Sequence, residues 1–431
     1  MDLLVLTIIV VMGVMGGGML ALTLMAPRPT QNIFALLLGI AVVLGLAAAA
    51  VSTLDYARYD HSARFLAVLS LNLMNLALAG VLGYAVTTLA VLGRGTGREA
   101  DPPVPPASGG AAGEGSGRTA VLYLAPGEPP DYDARRLARV LEIESPLTGR
   151  PGPPFLLRPL ALRRLNRLYA AAGGSAARET HVHLAEKVQD RLGRRVHVYI
   201  CYDSDQPAPG EAAAAAIGDG ARRLIVLHPR LVDPPPQITL PRLLGALRPE
   251  RSGATVVETA PLWDSELLAR LFVRRAQAAV PAEQRAQAGL LLVGHGYPDG
   301  RAVAGAELAP DPAQHRQHEE AQFQKRVRQG LIKGGFGEDR IVIGWLYRTD
   351  PALGAALAQL RATGADPIYW LGTGLTAEDL AARALVPRAL ASAGSPPPQS
   401  LGVWGDDDPV ADVLADAVKT ALPADAPARV R

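Results

Sequence analysis

The stretch Gly289-Leu-Leu-Leu-Val-Gly-His-Gly-Tyr-Pro298 decides how the C-terminal three-quarters of this chain is read. Four consecutive apolar residues, Leu290 to Val293, predict a strand buried on both faces, as in a parallel sheet. The run breaks at Gly294, and His295 follows between two glycines. In open α/β sheets, ligands gather at the carboxyl ends of strands. This imidazole therefore stands where chemistry is usually done. The flanking glycines let backbone or ligand approach closely, and Pro298 stiffens the exit. A histidine at a strand end is also a common structural residue, so the rest of the chain has to decide.

Working outward, further short apolar or β-branched runs lie at 120–125, 196–202, 224–228, 255–260, 341–345, 367–371 and 401–404. Helical stretches such as 312–329 and 351–362 separate them. Strand–helix alternation predicts parallel sheets with right-handed crossovers. Eight strands divide four and four near residue 280. The expected fold is α/β: two doubly wound four-stranded parallel-sheet lobes, 119–280 and 281–431, with a cleft between them.

Before residue 94 the composition changes. Residues 3–25, 33–53 and 65–92 are each apolar, free of charge and long enough to cross a bilayer. The first lacks the basic start of a signal peptide and is too long for one, so it reads as a retained span. Residues 1–93 are thus expected to be a membrane domain of three transmembrane helices that acts as an anchor. Gly13 and Gly17 form a small-xxx-small pair suited to helix packing, and Asn72 and Asn75 suit interhelical hydrogen bonding. Arg28, Arg94 and Arg98 fall on one side of the membrane and Arg58 and Arg64 on the other. That leans toward a cytoplasmic C-terminal domain, with the chain integral to the inner (cytoplasmic) membrane. Residues 94–118, rich in Gly, Pro and Ser, read as a flexible linker.

Composition narrows the chemistry. The chain has 431 residues with 43 Lys+Arg against 41 Asp+Glu, a balance that suggests no nucleic-acid partner. Its one cysteine, Cys201, excludes an intramolecular disulfide, a cysteine zinc cluster and a four-cysteine iron–sulfur cluster. Cys201 lies in an apolar run and reads as inert core.

Several segments, in order, resemble the ferrochelatases, which are class II chelatases. They are Val121-Leu-Tyr-Leu-Ala-Pro-Gly-Glu-Pro129, Arg167-Leu-Tyr-Ala-Ala-Ala-Gly-Gly-Ser175 with Thr180, Val198-Tyr-Ile-Cys-Tyr with Pro207, Gly220-Ala-Arg-Arg-Leu-Ile-Val-Leu-His-Pro229 with Gln237-Ile-Thr, Gly344-Trp345, and Trp370-Leu-Gly-Thr-Gly-Leu-Thr-Ala-Glu-Asp-Leu380. The most specific match is His295-Gly-Tyr-Pro298, similar to the family's His-[Ser/Gly]-x-Pro signature. The resemblance covers 119–395 and leaves out the membrane part. It implies a two-lobed porphyrin cleft and the insertion of a divalent metal, Fe2+, into a porphyrin, with release of two pyrrole protons. Carried over, His295 binds metal and accepts a proton, as a neutral imidazole can. Tyr297, Pro298, Trp345 and Tyr347 are implied as substrate contacts. Fe2+ enters as substrate, no cofactor is held tightly, and the partners are a tetrapyrrole, a divalent metal and the membrane.

Four positions depart from that pattern. The family's catalytic Glu falls at Ala381; Glu378 and Asp379, within one turn, are the possible substitutes. Pro126 stands where an aromatic is expected, Gly-Gly-Ser-Ala replaces Gly-Gly-Ser-Pro, and Asp203 replaces a basic residue. Three functions therefore stay open: a membrane-anchored ferrochelatase-like enzyme of haem or tetrapyrrole synthesis; a catalytically degenerate binder or carrier of haem, tetrapyrrole or metal; and a sirohydrochlorin-type cobalt or iron chelatase. His315, His318, Glu319 and Gln322 read as a solvated helix face, with His315 and Glu319 the alternative metal pair. The helical 131–178 stretch, rich in arginine, reads as a solvated face, or else as a lip toward an anionic ligand or membrane. His181, His183, His197 and His228 read as structural or surface residues.

Overall fold

The computed structural model describes residues 3–57, 62–92, 118–147, 153–232, 244, 253–296, 312–347 and 349–422. Tyr297, Pro298, the Gln237-Ile-Thr segment and the expected linker before Arg118 lie outside them.

The chain forms two compact units. The first holds helices α1 (Leu3–Met25), α2 (Arg28–Ala57) and α3 (Ser62–Leu92). Three stretches within them, Leu4–Met25, Arg28–Leu54 and Phe65–Leu92, are long and apolar enough to span a membrane. The second begins earlier than expected and includes Arg28. Backbones of α1 and α3 meet at glycines: a Cβ on Gly17 would lie 1.8 Å from Gly80 O, and one on Gly83 2.0 Å from Val14 O. Small residues let membrane helices approach this closely. Asn72 is buried, yet neither atom of its amide has a hydrogen-bond partner, so it does not supply the expected interhelical bond. Residues Tyr132–Glu142 and Pro151–Ala170 also belong to this unit. They carry the first part of α4 (Ala134–Leu147) and most of α5 (Arg158–Ala172).

The second unit holds two four-stranded sheets, all parallel. The first has the order β2-β1-β3-β4, with β1 Arg118–Ala125, β2 Val196–Tyr202, β3 Ala221–Leu227 and β4 Thr255–Glu258. Its helices are α6 (Ala177–Leu192), α7 (Pro209–Gly218) and α8 (Glu266–Ala279). The second sheet has the order β6-β5-β7-β8, with β5 Gly289–Gly294, β6 Ile341–Trp345, β7 Ile368–Leu371 and β8 Gln399–Ser400. Around it lie α9 (Pro312–Lys333), α10 (Leu353–Ala362), α11 (Val386–Ser392) and α12 (Asp408–Ala421). The expected fold class, two doubly wound parallel sheets after three membrane-length helices, is the one the chain adopts.

One strand differs. The run 401–404 is not β8; the pairing is made by Gln399 and Ser400. Gly402 bends the chain at φ +92, and Trp404 then plugs the core, its Nε1 donating to Thr373 O (2.9 Å). The run is apolar because it fills space, not because it pairs.

Strand alternation builds the cores. Val121, Tyr123 and Ala125 face an apolar core shared with Leu290 and Leu292 of the other sheet, while Leu122 and Leu124 face α7. Phe272 and Phe323 meet edge to face in the shared core, centroids 6.2 Å apart. The last helix also returns to the first sheet. Arg191 pairs with Asp412, Lys187 with Asp408 (3.3 Å), and Arg223 Nη2 donates to Ala421 O (2.9 Å). The division near residue 280 therefore holds for strand pairing, but core and C-terminal helix run across it.

Candidate functional site

Strand β5 lies between β6 and β7, and all six of its residues are buried. At its carboxyl end the flanking loops close in. Leu346 N donates to Gly294 O, Tyr347 N to His295 O and Gly374 N to Val293 O, each at 3.0 Å. Gly296 turns at φ +77, where a Cβ would lie 2.4 Å from Tyr347 O. Two peptide N–H groups at this turn point at one carboxylate: His295 N donates to Glu320 Oε1 (2.6 Å) and Gly296 N to Glu320 Oε2 (3.1 Å). Glu320 comes from α9 and is 1 % exposed. Its Oε1 occupies the place a side chain on Gly374 would take, 2.1 Å from an ideal Cβ.

The imidazole is oriented by its own turn. His295 Nδ1 lies 2.8 Å from Gly296 O, and a carbonyl only accepts, so Nδ1 carries the proton and Nε2 the lone pair. The Tyr347 ring lies beside it, centroids 4.8 Å apart at 55°. Burial pulls the histidine down to about 4, the Gly296 contact opposes this, and Arg230 and Arg316 add to the fall. The ring is therefore neutral at pH 7, with a lone pair suited to a cation and only weak basicity toward a proton. Burial also pushes Glu320 up to about 7, against the pull of its two peptide donors.

The polar helix α9 corrects an expectation. Only part of it faces water: His315 and His318 are exposed, but Arg316, Glu319, Glu320 and Gln324 are buried. Arg316, Glu320 and Gln324, four residues apart, share one face, which lies against the strand-end loops whose peptide groups need partners. Gln324 Oε1 meets Thr373 Oγ1 at 2.7 Å, continuing the polar row to Trp404 through the Thr373 carbonyl. His315 does meet Glu319, Nε2 to Oε1 3.3 Å. Among the described residues, however, no group of three or more His, Cys, Asp or Glu is placed to hold a metal.

Loops of the first sheet complete the surroundings. Asp203, which replaced the expected basic residue, accepts from Gly127 N (3.0 Å) and pairs with Arg230. The cation thus arrives from the end of β3. His228 Nε2 meets Glu258 Oε2 at 2.9 Å, and His181 Nδ1 meets Tyr123 OH at 3.1 Å. Burial lowers His181 to about 3. Both are buried and structural, and His183 pairs with Asp406 (3.0 Å) at the surface. Burial raises the Cys201 thiol, as expected of an inert core residue.

Where the resemblance puts a catalytic Glu, Ala381 begins a turn of π-helix, Ala381–Leu385, packed by its methyl against the core. Glu378 pairs with Arg383 (3.7 Å). Asp379 Oδ1 instead accepts from Ala382 N (2.8 Å), and Glu128 Oε1 accepts from Leu380 N (3.0 Å). Burial, with Glu128 close by, pushes Asp379 up to about 7. Trp345 is buried with its ring over Gly294, a wall of the core, whereas Tyr347 is exposed beside His295. Of the expected site residues, the structure brings His295 and Tyr347 together; Tyr297 and Pro298 lie outside the described residues. Sequence reasoning missed Glu320, Glu128 and Arg230. The spacing of Arg316, Glu320 and Gln324 was the available signal for the first.

No family model matches the chain. No curated protein matches it. Among solved structures the chain is similar to SirB from Bacillus subtilis with Fe3+, at 13 % identity and a TM-score of 0.46, over 70 % of this chain and 94 % of that one. At that identity and score the likeness decides nothing about chemistry, which rests on the side chains above.

Proposed function

We propose that this chain is a membrane-anchored, chelatase-like protein that inserts a divalent metal, Fe2+, into a porphyrin. The observation that carries this reading is His295: a neutral imidazole at a strand end, with Nδ1 tied to Gly296 O, the lone pair on Nε2, and an exposed tyrosine beside it. Metal insertion displaces two pyrrole protons, and a neutral imidazole is suited to accept one. The second goes to a carboxylate. Asp379 is better suited than Glu378, because Glu378 is engaged by Arg383 and Asp379 is held near neutrality. The His-Gly-Tyr-Pro resemblance supports the tetrapyrrole as substrate class, and the three apolar helices support an anchor, with the catalytic unit on the cytoplasmic side.

A second reading has its own observation. Ala381 offers a methyl group where proton transfer would need a carboxylate, which favours a protein that binds tetrapyrrole or metal without turnover. The full chain in nanodiscs, given protoporphyrin or coproporphyrin with Fe(II) or Zn(II) under anaerobic conditions, separates the two by absorbance of the metalloporphyrin. The enzyme reading expects turnover that His295→Ala abolishes. Binding without turnover, with activity gained on Ala381→Glu, overturns it in favour of the carrier.

A further inference from the structure

Helix α5 and the turn before it, Phe155–Leu157, belong to the same unit as α1–α3. Two hydrogen bonds fix their height along the membrane helices. Asn166 Nδ2 donates to Ala26 O (2.8 Å), just past the end of α1. Leu156 O accepts from Tyr84 OH (2.8 Å), well inside α3. Tyr84 stands beside Gly17 of α1, eight residues before Met25, or about 12 Å of helix. From Asn166 back to Leu156 the segment spans ten residues, about 15 Å if helical. It therefore descends along the bundle from the helix ends to the level of Tyr84.

That level is lipid. The second and third candidate spans have 27 and 28 residues, about 40 Å of helix against about 30 Å of hydrocarbon. Tyr84, eight residues or about 12 Å before the end of the third span, thus falls about 6 Å inside the hydrocarbon boundary. At this height Leu156, Leu157 and Leu160 are 46, 50 and 47 % exposed. Arg164 and Arg167 are exposed higher on the same helix, and Arg158 lies over the Phe155 ring at 5.3 Å. Residues 153–172 contain no Asp or Glu. Apolar side chains below and arginines above are the pattern of a segment lying in a lipid surface.

We propose that Phe155–Leu160 is inserted into the bilayer beside the three spans, its leucines in the acyl region and Arg164 and Arg167, higher on α5, on phosphates of anionic lipids. This inference rests on the first unit alone and stands apart from the metal-insertion reading.

The four native tryptophans, Trp263, Trp345, Trp370 and Trp404, all lie in the second unit. The added emission is therefore read as the difference from the unsubstituted full chain, reconstituted in phosphatidylcholine–phosphatidylglycerol nanodiscs with or without bromine on the acyl chains. Leu157→Trp and, separately, Leu160→Trp are compared with Leu37→Trp, nine residues into α2 at matching depth, and with Leu267→Trp on α8. Bromine is expected to cut the added emission at 157 and 160 at least about twofold, as at 37, and to leave 267 unchanged. If both 157 and 160 behave as 267 does, the insertion is overturned; the second site serves where the first variant does not fold. Bromine on the phosphatidylglycerol is expected to quench Leu157→Trp more than bromine on the phosphatidylcholine, and Arg164→Gln with Arg167→Gln to bring the two to parity. Equal quenching before those substitutions overturns the anionic-lipid assignment.

Discussion

The two sheets of the second unit have the same strand order, yet their central strands end differently. β1 runs out into Pro126-Gly127, whose N–H is held by Asp203, and Asp203 is in turn paired with Arg230. β5 runs out into His295-Gly296, whose two N–H groups are held by Glu320. Both turns are pinned by a buried carboxylate from a neighbouring element. On the first side the carboxylate meets a guanidinium and the turn presents a proline. On the second it meets peptide dipoles and the turn presents an imidazole. Topology makes two equivalent places, and on the proposed reading their side chains make the second the chemical one.

The largest test of that contrast is His295→Ala. It should lower metal insertion by about 100-fold or more at a cost in melting temperature smaller than that of Glu320→Ala, which strands two buried N–H groups. A matching loss of stability would mean that the two turns are both structural. Next comes Asp203→Ala. It strands a half-buried guanidinium and frees the Gly127 N–H, so it should cost about 2–3 kcal/mol in a denaturant titration. Glu320→Ala should cost about 2 kcal/mol, since two buried N–H groups lose their acceptor, and should also weaken insertion by disordering the His295 turn. Glu320→Gln keeps one acceptor oxygen and should recover part of both. If Asp203→Ala lost insertion at equal stability, the first turn would have to be counted in the site.

What the sequence made legible follows from how much each feature depends on neighbours. β5 was plain because a strand buried on both faces needs only apolar residues, and Leu290 to Val293 supply them. The strand-end position of His295 was plain because it follows that run between glycines. The end of the second sheet was not, because an apolar run such as 401–404 serves a core plug as well as a strand. The polar face of α9 was misjudged for a related reason. Arg316, Glu320 and Gln324 sit among exposed polar residues, and only the peptide N–H groups of a distant turn, which Glu320 accepts from, make a buried carboxylate sensible there. Glu320 in particular needs Gly374, far along the chain, to leave it room. Likewise α5 reads from sequence as a solvated or lip-forming helix, and the bonds of α5 to Ala26 and of the turn before it to Tyr84 span residues no local pattern connects.

The smallest expected effect concerns two carboxylates on loops of the two sheets, Glu128, which accepts from Leu380 N, and Asp379, whose proton affinity Glu128 raises. Asp379 has a folded value near 7 against an ordinary 3.8, raised first by burial and then by Glu128. The folded chain thus holds this proton more tightly than the unfolded chain does. Stability from this group is fully present below about pH 4 and is lost as pH rises through about 7. Asp379→Asn keeps an acceptor for Ala382 N and removes the titration. The unsubstituted chain should therefore lose more melting temperature between pH 5 and pH 8 than Asp379→Asn does, by a few degrees, equivalent to about 1 kcal/mol after relaxation of the site. Parallel curves would mean that the pair is solvated enough to ionise freely, and that the second proton of metal insertion needs another acceptor. A steeper curve for the unsubstituted chain would show that the folded chain holds a proton on buried Asp379, near Glu128 of the first sheet's loops, up to about pH 7.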